Sequence, residues 1–149
     1  MEVKELGHLV LYVRNVERSR AFYRDVLGWT EVAEAFGGKA AVFSSGRTHH
    51  ELLLIEVGDD ATPIPQGRRV GMYHFGLKIG TTDEELQEAL RTLLEKNATV
   101  VGTADHTVTH SIYIEDPDGN EIELYIDVQP EIWRDYPQAV MAPVKPLRI

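Results

Sequence analysis

The chain has 149 residues, 24 acidic and 15 basic side chains, a formal charge of −9 and no cysteine. The length fits one domain or two small fused units. The missing thiols exclude disulfides, cysteine-ligated zinc, iron–sulfur clusters and a thiol nucleophile, and the acidic balance disfavours nucleic acid, because phosphate binding needs a basic stripe and Arg68-Arg69 is the only adjacent basic pair.

No run of 18 apolar residues and no basic-then-apolar leader occur, so a soluble cytoplasmic protein with no membrane partner is expected. Residues 5–13 read as a strand, with Leu9, Leu11 and Val13 on one face and His8, Val10 and Tyr12 on the other. Asn15 is a good N-cap. A helix then carries Val16, Ser19, Phe22, Tyr23, Val26 and Leu27 at helical spacing and ends at Gly28. Short strands are expected at 29–34 and 39–45, a turn at Ser44–Thr48 and another strand at His50–Val57. Residues 58–70, rich in Gly, Pro and charge, read as a linker.

The order then repeats. Gly71–Gly80 is a strand with Phe75, Leu77 and Ile79 on one face and His74 and Gly76 on the other. Thr82 and Glu85 spell a capping box. Leu86, Ala89, Leu90, Leu93 and Leu94 form the apolar stripe of a helix. Strands follow near 98–104, 109–115 and 120–127, the last two joined by the turn Asp116-Pro-Asp-Gly-Asn120. Both halves read strand–helix–strand–strand–strand, with His8-Leu-Val-Leu-Tyr-Val13 aligned on His74-Phe-Gly-Leu-Lys-Ile79, which suggests an internal duplication. The tail, 128–149, holds four of the seven prolines and reads as extended, with Trp133 and Tyr136 as its anchors.

Alternation carries the chemistry. Each first strand buries its aliphatic face against a helix, which turns His8 and His74 away from the helices. Glu123 lies on the polar face of the final strand by the same rule. Sheets that curl would bring these faces to one cup, where two imidazoles and a carboxylate form the facial triad that holds Fe(II) with open positions.

The two modules, with His8, His74 and Glu123, resemble the vicinal oxygen chelate superfamily over roughly residues 4–127. The resemblance implies an α+β fold of two tandem βαβββ modules whose sheets form a metal-holding cup, in one domain over 1–149 (modules about 4–57 and 71–127). Two stretches resemble extradiol dioxygenases. One is His106-Thr-Val-Thr-His-Ser-Ile-Tyr113-Ile-Glu-Asp-Pro-Asp-Gly-Asn-Glu-Ile-Glu123, with Ala104 departing from the usual residue two places before His106. The other is His49-His50-Glu51-Leu-Leu-Leu54.

The implied activity is non-haem Fe(II) ring cleavage of a catechol-type diol with O2, with Mn(II) or another divalent ion as substitute. The implied metal ligands are His8, His74 and Glu123. The implied catalytic residues are His50 for proton transfer, Tyr113 as hydrogen-bond donor and His106 to hold the substrate. His106 and Tyr113 differ by an odd number, so a bulge or loop must lie between them for both to face one site. Well-known extradiol enzymes commonly carry four modules, and homodimers are common in the family. The alternatives are a glyoxalase- or epimerase-like metalloenzyme, with Glu51 or Glu56 as a fourth ligand, and a non-catalytic binding or resistance protein.

Overall fold

The structure is a computed structural model that describes residues 1–149. The chain divides into two compact units, Met1–Ile64 and Pro65–Ile149, and the division falls inside the 58–70 linker. No helix is long and apolar enough to cross a membrane.

The first unit runs β1 (Leu9–Val13), α1 (Val16–Ala21), a π-helical turn (Phe22–Val26), β2 (Glu31–Ala35), β3 (Ala40–Phe43) and β4 (Leu52–Glu56). Its sheet has the order β1-β4-β3-β2, with β1 and β4 parallel and the other pairs antiparallel. Leu11, Val13, Phe43, Leu52 and Leu54 are buried, as are Val16, Phe22 and Tyr23 from the helical segment. Asn15 accepts a hydrogen bond from the Arg18 backbone N–H at 2.8 Å, the expected cap. The helix closes as a wider turn over 22–26, and Gly28 takes φ +70° to leave it. The last strand begins at Leu52, so His50 lies in the connection before β4 rather than in the strand.

The second unit runs β5 (His74–Gly80), α2 (Asp83–Glu95), β6 (Thr99–Asp105), β7 (Thr109–Glu115) and β8 (Glu121–Asp127). Its sheet order, β5-β8-β7-β6, repeats that of the first unit. This is the duplication the aligned motifs indicate. Ile112, Ile114, Ile122, Leu124 and Ile126 are buried with Leu86 and Leu93 of α2. Each such side chain contributes about 1.5–3 kcal/mol by leaving water. Leu94, placed on the same stripe by spacing, is instead 59% exposed; it lies at the edge of the stripe, a quarter turn round from buried Leu86 and Leu93. Thr82 and Glu85 form the capping box: the Thr82 hydroxyl accepts from the Glu85 N–H, and the Glu85 carboxylate accepts from the Thr82 N–H at 3.0 Å.

The tail corrects an expectation. It is not extended over 128–149 but folds into α3 (Pro130–Asp135) and a 3₁₀ turn (Pro137–Met141). Each of these begins on a proline. At the first helical position proline loses nothing by lacking an N–H, because that donor has no partner in the helix. Prolines read as breakers are here helix starters. Gln129, with φ 50°, turns the chain from β8 into α3.

Replacing Thr82 by Ala removes one half of the capping box and costs about 1 kcal/mol. A thermal melt is expected to show a midpoint lowered by roughly 2–4 °C with unchanged helix content at low temperature. An unchanged midpoint would show that packing of Leu86 and Leu93 alone holds the helix.

Candidate metal centre

The second unit brings His74, Tyr113 and Glu123 together. Burial of Ile122, Leu124 and Ile126 leaves Glu121, Glu123 and Tyr125 on the opposite face of β8. The parallel register sets His74 beside Glu121 and Gly76 beside Glu123, and the antiparallel register sets Tyr113 opposite Glu123 and Ser111 opposite Tyr125. His74 Nε2 lies 3.3 Å from Glu123 Oε2. The other Glu123 oxygen, Oε1, accepts from Ser111 Oγ at 2.6 Å and from Tyr113 OH at 3.3 Å. Gly76 leaves the room this requires: a Cβ there would stand 3.3 Å from the Tyr125 ring and 3.9 Å from Glu123 Oε2.

These donors suit a divalent cation. Metal–ligand bonds to imidazole and carboxylate are about 2.0–2.2 Å, so neighbouring donors on one ion stand about 3 Å apart. His74 Nε2 and Glu123 Oε2 are close to that spacing. The second ring nitrogen, Nδ1, is buried without a hydrogen-bond partner, and Glu121 Oε1 stands 3.6 Å from it. A ligating imidazole commonly aims its free N–H at a carboxylate in this way. Ser111, fully buried, and Glu121 are the supporting residues that sequence reasoning missed. The available signal was their i, i+2 spacing from Tyr113 and Glu123, which puts each on the same face.

His106 reaches the same place by leaving the strand. β6 ends at Asp105, and His106 opens the hairpin to Thr109, where Thr107 takes φ 73°. Outside a strand, alternation no longer governs its direction. His106 Nε2 lies 2.7 Å from Tyr113 OH, hydrogen-bonded, and 3.9 Å from Glu123 Oε1. Burial, the Glu123 charge and the hydrogen bond to Glu123 all push the Tyr113 phenol well above its ordinary value, so it stays protonated. His74, His106, Tyr113 and Glu123 line a cavity of about 480 Å³ in this unit.

The first unit brings together His8, His49 and His50. The His50 ring centroid lies 4.3 Å from that of His8 and 4.5 Å from that of His49. The segment before β1 is tied down by Arg47, which donates to the Gly7 carbonyl at 2.8 Å, and by Leu9 N–H to the Glu51 carbonyl at 2.8 Å. Glu51 and Glu56 are both engaged. Glu51 accepts from Ser45 N–H and Ser45 Oγ and pairs with Arg47. Glu56 accepts from the Val16 N–H at 3.0 Å and from Lys39, and its parity is that of buried Leu52 and Leu54. Leu53 and Ile55 occupy the other face of β4. No group of three or more His, Asp or Glu side chains in the chain is arranged to hold a metal ion. Of the three expected ligands, the second unit pairs His74 with Glu123, and the first carries His8.

The His50 imidazole is held below the ordinary histidine value, first by desolvation and then by His8 and His49. It is therefore neutral at pH 7. Replacing His49 by Ala removes one repelling neighbour, so the His50 pKa is expected to rise in an NMR titration of metal-free protein. A fall, or no movement, would mean that His49 does not act on it.

Residues 5–124 match the model of the Glyoxalase/Bleomycin resistance protein/Dioxygenase superfamily. The chain is 33% identical over 133 residues to catechol-2,3-dioxygenase of Bacillus subtilis (strain 168), matching 89% of this chain but 45% of that protein. It is 30% identical over 133 residues to biphenyl-2,3-diol 1,2-dioxygenase 3 of Rhodococcus globerulus, matching 88% of this chain and 68% of that one. The chain thus spans less than half the length of the Bacillus relative. Among solved structures, lactoylglutathione lyase from Agrobacterium tumefaciens superposes with a TM-score of 0.63 at 26% identity, covering 89% of this chain and 98% of that one. With a matching model over most of its length and the repeated βαβββ layout, the chain belongs to the Glyoxalase/Bleomycin resistance protein/Dioxygenase superfamily, the vicinal oxygen chelate proteins.

Proposed function

We propose that the chain is a metal-dependent extradiol dioxygenase that opens the ring of a catechol-type diol with O2, using Fe(II) held by His8, His74 and Glu123. The observation that carries this reading is the state of β4. Its Glu56, and Glu51 just before it, are bound elsewhere, and Leu53 and Ile55 fill its other face. That leaves two imidazoles and one carboxylate, without the fourth ligand that glyoxalase-like chemistry would use. The two dioxygenase relatives support the same choice. Fe(II) in this ligand set would supply chelation of two vicinal oxygens and a place for O2.

The chain's own groups then have separate tasks. Ser111 and Tyr113 occupy Glu123 Oε1 and leave Oε2 turned toward His74. Tyr113 stays protonated and donates a hydrogen bond instead of adding a second negative charge beside Glu123. His106, hydrogen-bonded to Tyr113, holds the ring of the diol in place. His50, neutral at pH 7, accepts a proton from a diol hydroxyl on a ring nitrogen.

Anaerobic loading with Fe(II), followed by a panel of catechols and then O2, is expected to give a yellow ring-opened product with O2 uptake matching diol loss. No colour across the panel, with isomerisation of a hemithioacetal instead, would favour glyoxalase chemistry. Replacing His50 by Ala should slow turnover by about 10²–10⁴-fold with metal content intact; metal loss would place His50 among the ligands. Replacing Ser111 by Ala should weaken metal affinity by about 10–100-fold, whereas unchanged affinity would remove Ser111 from its supporting role.

A further inference from the structure

We propose that Asp105 is a positioning residue: its carboxylate holds a strained turn at Thr107 and thereby keeps His106 against Tyr113. The task given to His106, holding the diol, rests on the dioxygenase reading. The tie between Asp105 and His106 rests on the second unit alone.

The turn between β6 and β7 is costly. Thr107 takes φ 73°, a region that a β-branched residue rarely enters. Across it, Val108 N–H donates to the His106 carbonyl at 2.8 Å, so residues 106–108 form a γ-turn with a positive φ at its centre, the rare and strained form. The Thr107 hydroxyl oxygen is also buried without a hydrogen-bond partner. Such costs persist only where the surroundings fix the conformation, and they gather at functional positions. The residue before Thr107 is His106, whose Nε2 lies 2.7 Å from Tyr113 OH.

The fixing contacts converge on Asp105. Its backbone exchanges both hydrogen bonds with Lys145 at 2.9 Å, which anchors the end of β6. Its Oδ1 accepts from the Thr107 N–H at 2.7 Å. The same oxygen stands 3.7 Å from His110 Nε2, and His110 Nδ1 shares a hydrogen bond with Asp83 Oδ1 at 2.6 Å, which links the hairpin to the first residue of α2. On the far side of the turn, Val128 N–H donates to the Val108 carbonyl at 3.0 Å, and His106 N–H donates to the Thr109 carbonyl at 2.9 Å. Backbone bonds thus hold both ends of the turn. At its centre, the Asp105 carboxylate takes the Thr107 N–H.

The test is NMR of the metal-free protein, reading cross-relaxation between the His106 and Tyr113 rings, whose centroids lie 6.3 Å apart. Asp105→Ala is expected to lose most of that signal. Asp105→Asn, which keeps an oxygen for the Thr107 N–H, should retain it. Asp105→Ala joined to Thr107→Gly should also retain it, because glycine takes a positive φ without strain and the turn then needs no tie. This double variant carries the test if Asp105→Ala alone does not fold. In the Fe(II)-loaded protein, Asp105→Ala should raise KM for catechol about tenfold and change kcat by less than about twofold. Survival of the ring-to-ring signal in Asp105→Ala, its loss in Asp105→Asn, or its loss in the double variant would overturn the assignment. If the signal follows this pattern while no diol is cleaved, the positioning stands and the dioxygenase reading fails. If diols are cleaved and the signal survives Asp105→Ala, the dioxygenase reading stands and the positioning fails.

Discussion

The burial of Ile122, Leu124 and Ile126 is the constraint on which the second unit depends. These three side chains, packed with Ile112 and Ile114 and with Leu86 and Leu93 of α2, fix the register of β8. A slip of one residue would drive Glu121, Glu123 and Tyr125 into that apolar layer and cost far more than it returned. The carboxylate of Glu123 is thus held on the open face by what its neighbours bury. Its own interactions then aim it: Ser111 and Tyr113 take one oxygen, and His74 faces the other.

The same device operates in the first unit with different residues. Leu52 and Leu54 are fully buried, and Leu11 and Val13 nearly so, which turns Val10 and Tyr12 outward and sets the parity of His8 just before β1. Duplicated architecture explains why a histidine occupies the same point in both halves. It also explains how the halves have diverged. The carboxylates at the two ends of the β4 segment serve the fold, Glu56 by holding the first turn of α1 and Glu51, just before the strand, by bracing the Ser45–Arg47 turn. On β8 the open face carries Glu121 and Glu123, both beside His74. Family membership is shared with proteins of several chemistries, so the distribution of these carboxylates, more than the fold, separates the readings.

Much of this was legible in the residues because it depends on local periodicity. Alternation turned His74 and Glu123 to the open faces of their strands, the resemblance to extradiol enzymes singled out Tyr113, Thr82 and Glu85 announced α2, and the aligned histidine strands announced the repeat. What was not legible depends on where regular structure stops. His106 joins Tyr113 only because β6 ends one residue earlier, and Leu94 is exposed because it lies at the edge of the α2 stripe, a quarter turn round from buried Leu86 and Leu93. The tail was misread because proline at a helix start and proline in an extended segment look alike in sequence. The chain after these helices is tied back to β6, where Asp105 and Lys145 exchange both backbone hydrogen bonds. Ser111 and Glu121 had the right spacing but a bland chemistry, and only their distances to Glu123 and His74 single them out.

In the proposed reading these groups direct O2 into the ring of a bound diol. The most direct measurement is the mass of the product formed from a catechol under isotopically labelled O2 by the Fe(II)-loaded protein. Extradiol cleavage predicts a ring-opened product carrying both labelled oxygen atoms. Conversion of a substrate with no label in its product would contradict it.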